Sequence, residues 1–377
     1  MIKHLYVDNF KSLIDFNLPC NSPTCLIGVN NSGKSSVLQI IDLLSSVSKG
    51  DIKNWFDSRE WHPKDVKSKL KKDRQHTISF NIEFSMEDTD YSWGGTFNLN
   101  SYTCSSEAVL KHNENNDSSL LKVENNTYSI LGKAKKTVDF AYEGSILAFL
   151  REQLLNDELL KIKQFLNSIN SLELLNPLLL RKRARTAEEN LGVGGEKLSA
   201  FLYNLSPDKK KFIYTQMSHL FDAFAGYHVR TEQSGRKELW ILEKFLNNYR
   251  TATDAKHISD GFLRILALFS QIQTNNSALL FDEIEDGLNH EVMEFLMDEL
   301  VKAPQQIFFT THSPMILNFL EDETAKESVM FVYRDRQTGK TKACKFFDLP
   351  GINEKLEYMG PGEVFANVNL NELSDSV

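Results

Sequence analysis

The sequence predicts an α/β fold with an N-terminal antiparallel β lobe, a mixed or parallel core sheet and a helical insertion. Three observations predict it. A glycine-rich loop follows a short apolar run near residue 28. Apolar and polar residues alternate from Thr77 to about Tyr142, which is typical of antiparallel hairpins. In the last third, short apolar runs alternate with helical patterns, which indicates buried parallel strands.

The order of these patterns predicts one composite domain in three segments. Residues 1–145 carry short strands, the glycine-rich loop and the hairpins, while residues 51–76 are polar enough to form a surface excursion. Residues 146–256 begin with apolar residues at three- and four-residue steps, which predicts a helical insertion or lid. Two further helices are expected there, separated near Ser206-Pro207. Residues 257–377 hold the apolar runs of the core sheet.

The composition excludes several classes of protein. The net charge is −8, so there is no overall basic signature for nucleic acid, although a local basic face is compatible with it. No run of 18 apolar residues occurs and the N-terminus lacks an apolar signal stretch, so no membrane partner is expected. The four cysteines form no C-x-x-C pair. Reduced cysteines and a cytoplasmic location are therefore expected.

The run from Gly28 to Ser35 reads G-x-x-x-x-G-K-S between the apolar Cys25–Ile27 and a helical pattern from about Gly33 to Ser48. In such a loop, backbone N–H groups close around phosphate oxygens and the helix N-terminus favours negative charge. The lysine reaches the β- and γ-phosphates, and the serine hydroxyl ligates Mg²⁺. ATP and Mg²⁺ are therefore the predicted cofactors. The predicted nucleotide contacts in this region are Gly28, Asn30, Asn31, Gly33, Lys34, Ser35 and Ser36, with Ser35 also a metal ligand.

Polar residues at two later strand ends complete the predicted site. Asp282 and Glu283 follow an apolar run, and acids at the carboxyl end of a buried parallel strand lie where α/β sheets bind ligands. Asp282 is predicted to join the Mg²⁺ shell, and Glu283 to position or deprotonate the attacking water. The next apolar run ends in Thr310-Thr311-His312. His312 is predicted to sense the γ-phosphate, the alternative being a structural histidine.

Ser259-Asp260-Gly261 precedes a further helical pattern, where Ser259 alone would indicate a helix N-cap. The order of glycine-rich loop, Ser-Asp-Gly, apolar run with Asp-Glu, and Thr-His-Ser resembles that of ABC-type ATPases of the SMC, RecF and OLD-type branch. The segment Leu191–Leu198 resembles the loop and helix that precede the lid helices of these proteins. The resemblance covers nearly the whole chain.

The resemblance implies a head-to-tail homodimer, or a higher oligomer, that traps two ATP molecules. Ser259 and Gly261 would close over the nucleotide of the partner subunit, while the other assigned residues would act in cis. Asp286–Leu288 would be the loop that crosses the dimer interface. The chain departs from the family pattern at Ile284 and at Asn289-His290, where the family often has Pro and His-Pro. Arg264 remains open between nucleotide, partner and a helix-surface ion pair.

Three functions remain open from the sequence. OLD-type nucleases carry a second module with an Asp-x-Asp pair, which is absent after His312; the one such triplet, Asp88-Thr89-Asp90, is expected in a solvated turn. We therefore expect an ATPase that is not itself a nuclease. The first function is a stand-alone Septu- or retron-like subunit of an anti-phage system, acting on a separately encoded effector such as a nuclease. The second is a RecF-like DNA-repair ATPase. The third and least supported is a transporter ATPase subunit.

Basic runs leave DNA or RNA open as a partner. Arg181–Arg185 could bind a phosphate backbone through counterion release, or could be a solvated or dimer-facing surface. The cluster of Lys67, Lys69, Lys71, Lys72 and Arg74 is expected to be a solvated loop. Lys209–Lys211 is expected to be exposed at the start of a helix.

Overall fold

A computed structural model describes residues 1–71, 76–113, 116–173, 175–186 and 190–376. Lys72 and Arg74 of the basic cluster lie outside these residues. The described strands are β1 (Ile2–Asp8), β2 (Phe16–Pro19), β3 (Thr24–Ile27), β4 (Thr77–Met86), β5 (Thr89–Asn98), β6 (Thr103–His112), β7 (Ser118–Glu124), β8 (Thr127–Ile130), β9 (Lys136–Thr137), β10 (Ile169–Ser171), β11 (Phe224–Thr231), β12 (Lys237–Lys244), β13 (Arg250–Asp254), β14 (Ala278–Phe281), β15 (Gln306–Thr310), β16 (Val329–Arg334) and β17 (Thr341–Lys345).

The described helices follow in the same chain order. They are α1 (Lys34–Lys49), α2 (Ile52–Asp57), α3 (Pro63–Val66), α4 (Ile146–Phe149), α5 (Asp157–Asn167), α6 (Pro177–Leu180), α7 (Leu198–Asn204), α8 (Pro207–Leu220), α9 (Asp260–Ile272), α10 (His290–Val301), α11 (Pro314–Leu317), α12 (Asp322–Ser328), α13 (Pro361–Ala366) and α14 (Leu370–Ser376). None of the helices in the described part of the chain is both long and apolar enough to cross a bilayer.

The chain forms two compact units. The first contains residues 1–170, 276–284 and 306–377, and the second contains residues 171–275 and 285–305. The predicted division at residues 145 and 256 stays a prediction about sequence segments.

The first unit contains an antiparallel sheet with the strand order β2-β1-β4-β5-β6-β7-β8-β9. The alternating apolar residues Ile78, Phe80, Ile82 and Phe84 are all buried, because successive side chains of a strand point to opposite faces. Consecutive strands from β4 to β9 pair as hairpins. The predicted antiparallel lobe is confirmed.

A second sheet in the same unit has the order β10-β14-β15-β3-β16-β17. Strands β14, β15, β3 and β16 pair in parallel, and β17 is antiparallel to β16. Every residue of β3, β14 and β15 is buried, which explains why these strands read as short apolar runs. The predicted mixed core is therefore confirmed, and it brings the carboxyl ends of β3, β14 and β15 to one edge.

Helix α1 packs into the core of the first unit, where Ser45 Oγ lies 3.1 Å from the carbonyl oxygens of both Leu166 and Ile169. The expected surface excursion at residues 51–76 is wrong for α2. Trp55 and Phe56 are buried in the core, and Trp55 Nε1 donates to Asp42 Oδ2 at 2.6 Å. Burial of the two aromatic rings outweighs the polar composition of the segment around them.

The second unit combines helices with the antiparallel sheet β11-β12-β13. Helices α7 and α8 are separated at Ser206-Pro207 as predicted. Pro207 is the first residue of α8, a position whose backbone N–H makes no hydrogen bond within a helix, so proline is tolerated there. Strand β13 was not foreseen, because Arg250–Asp254 is polar and at most half-buried before its last residue. Its backbone pairs with β12, which does not require an apolar pattern.

Candidate nucleotide site

Two glycines of the G-x-x-x-x-G-K-S loop have conformations and surroundings that exclude a side chain. Gly28 has φ +149°, and a Cβ there would lie 2.1 Å from the carbonyl oxygen of Val332 on β16. Gly33 has φ +114°, and a Cβ would lie 2.4 Å from Thr341 Oγ1. Asn31 between them is left-handed at φ +62°. The loop is therefore a close-packed cradle of backbone, as phosphate binding requires.

The N-terminus of α1 completes this cradle. Gly33 is the N-cap and Lys34 the first helical residue; the first turn carries no acidic residue and no side-chain cap. The backbone N–H groups of this turn, including those of Ser35 and Ser36, therefore favour an anion through both hydrogen bonding and the helix dipole. The site fits a polyphosphate.

The Lys34 ammonium is buried inside the loop. Its Nζ donates to the carbonyl oxygens of Gly28 at 2.9 Å and Val29 at 3.1 Å. An ammonium that donates to carbonyl oxygens forms stronger, charge-assisted hydrogen bonds with an arriving phosphate. The lysine is thus held where the motif predicts phosphate contact.

Thr341 supports the loop from more than 300 residues away in the sequence. Its buried hydroxyl lies 2.8 Å from Ser12 Oγ and 2.8 Å from the carbonyl oxygen of Ser32. The backbone N–H of Thr341 also donates to the carbonyl of Ser12 at 2.9 Å. Sequence reasoning missed Thr341 and Ser12, because nothing in the chain signals a contact between the start of β17 and the loop.

Thr310 positions both predicted acids. At the end of β15, its buried hydroxyl donates to Asp282 Oδ1 at 2.5 Å and accepts from the Glu283 backbone N–H at 2.8 Å. Glu283 adopts a left-handed conformation with φ +46°, which a non-glycine residue keeps only when its surroundings impose it. The sequence marked the threonine pair as polar, but it did not predict this role.

Glu283 and His312 lie together at the edge of the parallel sheet. Glu283 Oε1 is 3.9 Å from His312 Nε2, and the two side chains are 61% and 36% exposed. The carboxylate and the imidazole therefore face solvent, where a water molecule can approach both. This contact unites two residues that the sequence placed on separate strands.

The side chains predicted to hold Mg²⁺ are one hydroxyl and one carboxylate, those of Ser35 and Asp282. Within the described ranges, no group of three or more His, Cys, Asp or Glu side chains could hold a metal ion. Mg²⁺ is commonly held by one or two protein oxygens, substrate phosphates and water, so Ser35 and Asp282 form a compatible pair of donors. Asp90, from the one Asp-x-Asp triplet, instead pairs with Lys3 at 2.6 Å.

The Ser-Asp-Gly segment of the second unit presents an exposed helix terminus. Ser259 occupies the N-cap position of α9, but its side chain makes no capping hydrogen bond and is exposed. Arg181 fixes the segment, since it forms an ion pair with Asp260 and donates to the Ile258 carbonyl at 2.6 Å. The serine hydroxyl is therefore not used to cap its own helix.

Gly261 packs against the predicted interface loop Asp286–Leu288. A Cβ at Gly261 would lie 2.7 Å from the Gly287 carbonyl oxygen. Arg264 Nη1 contacts Asp286 Oδ2 at 3.0 Å. Of the roles left open for Arg264, the structure therefore shows an ion pair between α9 and this loop.

Backbone hydrogen bonds order two further segments of the second unit, Asn289 before α10 and the loop Leu191–Leu198. Asn289, where the family often has His, caps α10 by accepting a hydrogen bond from Val292 N at 3.1 Å. The loop Leu191–Leu198 is closed by Lys197 N, which donates to the Leu191 carbonyl at 2.8 Å. Both arrangements order the backbone next to a helix start.

The basic run at residues 181–185 is partly neutralised within its own unit. Arg181 pairs with Asp260, and Arg183 forms ion pairs with three acids. These acids are Glu232, Glu238 and Asp254. A structural role for these two arginines is therefore favoured over binding of a phosphate backbone.

The fold and the site define an ABC-type ATPase head of the SMC, RecF and OLD-like branch, as the sequence predicted. Residues 24–318 match the model of the family described as "AAA domain, putative AbiEii toxin, Type IV TA system", and the chain belongs to this family. It is also 33% identical over 115 residues to the OLD nuclease of Thermus scotoductus, covering 30% of this chain and 19% of that protein. The match thus spans about a fifth of that relative.

Two solved structures resemble the fold over nearly its full length. An SMC head bound to the C-winged helix domain of ScpA aligns with a TM-score of 0.57 and 15% identity, covering 92% of this chain and 99% of that one. An SMC head with an extended coiled coil, bound to the C-terminal domain of ScpA and derived from Pyrococcus furiosus, aligns with a TM-score of 0.51 and 15% identity. It covers 94% of this chain and 99% of that one. At these identities the likeness concerns the fold alone.

Proposed function

We propose that this protein is an ATP-gated, head-to-tail dimer that hydrolyses ATP with Mg²⁺ and regulates a separately encoded effector, a nuclease, in anti-phage defence. One observation carries the proposal: the glycine-rich cradle, Asp282 with Glu283, and His312 follow three strand ends at one edge of the parallel sheet. This edge is where α/β sheets bind nucleotides.

In this proposal the first unit holds the phosphates and places the water. Lys34 and the first turn of α1 bind the phosphate oxygens, while Ser35 and Asp282 hold Mg²⁺, which when bound neutralises phosphate charge. Glu283 orients and deprotonates the attacking water, and its position depends on the hydrogen bond from its backbone to Thr310. His312, 3.9 Å from Glu283, responds to the γ-phosphate.

The second unit would act on the nucleotide of the partner subunit. The exposed Ser259 hydroxyl and the N-terminus of α9, with Gly261, offer an anion-binding surface that the helix itself does not use. Contacts that exist only in the closed dimer would shift the open–closed equilibrium when ATP binds. Hydrolysis promoted by Glu283 would then reopen the dimer.

An effector partner is proposed from the relatives. The OLD protein matched over part of this chain is named a nuclease, and the solved SMC heads are bound to domains of ScpA. By analogy, a head of this fold docks a second protein and reports its ATP state to it. We place the protein in the cytoplasm, which supplies ATP and suits four free thiols.

The proposal is tested by co-expression. Glu283→Gln protein is purified together with the products of neighbouring genes, and its mass is measured by size-exclusion light scattering with and without ATP and Mg²⁺. A dimer that requires ATP and retains a nuclease-like chain supports the proposal. A lone ATP-dependent dimer that binds DNA supports a RecF-like repair ATPase instead. A mass that is indifferent to ATP contradicts the gated dimer.

A further inference from the structure

A cavity lies wholly within the unit formed by residues 171–275 and 285–305. It has a volume of about 550 Å³ and is bounded by α7, the start of α8 and the middle of β11. The side chains that give it chemical character are Tyr203, Lys210, Lys211, Tyr214, Tyr227 and His228. None of these residues belongs to the nucleotide site described above.

Two tyrosines supply exposed aromatic surface to this cavity. Tyr203 and Tyr214 are each 46% exposed, although a large aromatic ring gains free energy by burial. Tyr214 is supported by Phe224, whose ring centroid lies 6.0 Å away at an interplanar angle of 36°. The Lys237 ammonium lies 4.1 Å from the centroid of the Tyr203 ring. Such supported, half-exposed rings are suited to stacking with a planar group.

The charged side chains that line the cavity are positive. Lys210 and Lys211 line it, and no carboxylate lines it among the described residues, in a chain whose net charge is −8. Lys210 Nζ donates to the Tyr203 backbone carbonyl at 2.9 Å, which holds this ammonium at the end of α7. A cavity with cations and no acids concentrates anions.

A third feature is an unsatisfied hydroxyl on a residue that lines the cavity. The hydroxyl of Tyr227, on β11, is buried and makes no hydrogen bond with the described part of the chain. Burial raises the pKa of Tyr227, so the phenol stays protonated and able to donate. A buried polar group without a protein partner is usually satisfied by water or a ligand. Beside it, Gly226 leaves the wall open, since the nearest atom to a Cβ there would be Tyr214 Cδ2 at 4.0 Å.

We propose that this cavity binds a nucleotide unit, with its base stacked on Tyr214 or Tyr203 and its phosphate held by Lys210 and Lys211. Single-stranded nucleic acid and a free nucleotide both present this combination of planar ring and adjacent phosphate. None of the residues of this site belongs to the glycine-rich loop, and this inference does not depend on the function proposed for that loop. Aromatic platforms beside a positively charged surface are the usual means by which proteins bind unpaired bases.

The test uses the full-length Lys34→Ala protein, in which the glycine-rich loop no longer competes for nucleotide. Binding of fluorescein-labelled dA12 and rA12 is followed by fluorescence anisotropy over a range of salt concentrations. AMP and pyrophosphate serve as unlabelled competitors, because pyrophosphate has the charge without the ring.

Substitutions then separate stacking from charge. Tyr214→Leu should raise the Kd for the oligonucleotide by about 5- to 100-fold, whereas Tyr214→Phe, which keeps the ring, should leave it nearly unchanged. The slope of log K against log salt is negative. Replacing both Lys210 and Lys211 by Ala should make it less steep by about 1.4, the value for two lost phosphate contacts on a single strand. Tyr203→Leu repeats the stacking test if the Tyr214→Leu protein does not fold.

Two matched controls come from the same unit. Lys209→Ala removes a lysine of α8 that does not line the cavity, and Tyr249→Leu removes a tyrosine that is 63% exposed on the turn between β12 and β13. Both should leave the Kd within about twofold of the parent, since neither provides the ring or the cation of this site.

The outcomes are distinct. Oligonucleotide binding that AMP displaces only at concentrations far above the oligonucleotide Kd identifies single-stranded nucleic acid as the source, whereas displacement by AMP at or below that Kd identifies a free nucleotide. In both cases sensitivity to Tyr214→Leu supports the proposal. Absence of binding, equal competition by pyrophosphate and AMP, or equal losses in the control variants overturns it.

Discussion

The two segments assigned to ATP differ in how the protein holds them. The glycine-rich loop of the first unit is enclosed, with Lys34 bonded to loop carbonyls and Gly28 and Gly33 packed against β16 and Thr341. The Ser259 segment of the second unit is anchored from behind by Arg181, but its serine faces solvent without a hydrogen bond to its own helix. In the proposed dimer, the loop is the enclosed half of the ATP site, formed within one unit, and the Ser259 segment is the presented half, which faces solvent.

Lys34→Ala should have the largest effect on ATP binding, because it removes the buried cation of the enclosed half. ATP affinity is expected to fall by about 100-fold or more, in line with the loss of a charge-assisted phosphate contact worth about 3 kcal/mol. Isothermal titration calorimetry with ATP and Mg²⁺ measures the loss. Lys53→Ala, which removes an exposed lysine, is the control, and wild-type affinity in Lys34→Ala would refute the assigned role.

Glu283→Gln should separate binding from hydrolysis. The amide keeps the size of the side chain but cannot accept a proton, so kcat should fall by about 100- to 10,000-fold while ATP affinity is retained. Single-turnover hydrolysis of radiolabelled ATP measures the chemical step. Glu285→Gln, two residues on, is the matched control. A Glu283→Gln protein as fast as wild type would contradict the catalytic assignment.

Ser259→Arg should damage the presented half alone. The substituted residue is exposed, so the thermal midpoint and the ATP affinity of the monomer should remain unchanged, whereas the ATP-dependent dimer of the Glu283→Gln protein should be lost. Light scattering with and without ATP checks the mass, and calorimetry checks the monomer. Retention of the dimer would show that the Ser259 surface is not the interface.

Thr310→Val should have an intermediate effect on the enclosed half. The substitution removes both the donor to Asp282 and the acceptor of the Glu283 N–H. We expect kcat to fall by about tenfold, with a loss of about 1–3 kcal/mol in the free energy of unfolding. Steady-state kinetics and urea unfolding measure the two effects. Thr310→Ser should restore most of kcat, whereas a purely structural threonine would change stability without changing kcat.

Thr341→Val should have the smallest effect, because Thr341 supports the loop from behind. The substitution removes the hydroxyl that contacts Ser12 Oγ and the Ser32 carbonyl oxygen. This loss should cost about 1 kcal/mol in the free energy of unfolding and weaken ATP binding by less than about tenfold. Urea unfolding with and without ATP measures both quantities. An ATP affinity as poor as that of Lys34→Ala would show that Thr341 contacts the nucleotide itself.

The sequence predicted the fold where local pattern and tertiary contact agree. Apolar runs predicted β3, β14 and β15 because these strands are buried on both faces, and alternation predicted the hairpins because one face of that sheet is buried. The polar composition of residues 51–76 gave a wrong prediction at α2, because Trp55 and Phe56 are buried in the core. Strand β13 was missed because its residues are polar and its pairing with β12 involves no apolar pattern.

In the site, too, the sequence predicted residues that belong to local motifs and did not predict contacts between distant segments. Its motif residues could be predicted because glycine, lysine and acid types at fixed spacing reflect local chemistry. Thr341 and Ser12 could not, since their contact joins segments 329 residues apart. The left-handed Glu283 could not either, because the threonine that positions it lies 27 residues away on another strand.

The central claim is that the enclosed half of one subunit works with the presented half of another, and mixing inactive variants tests it most directly. Lys34→Ala and Ser259→Arg proteins are each assayed for ATP hydrolysis alone and after mixing in equal amounts. A head-to-tail heterodimer contains one site with both halves intact, so the mixture should recover up to about a quarter of wild-type activity. A mixture as inactive as its components would contradict the account.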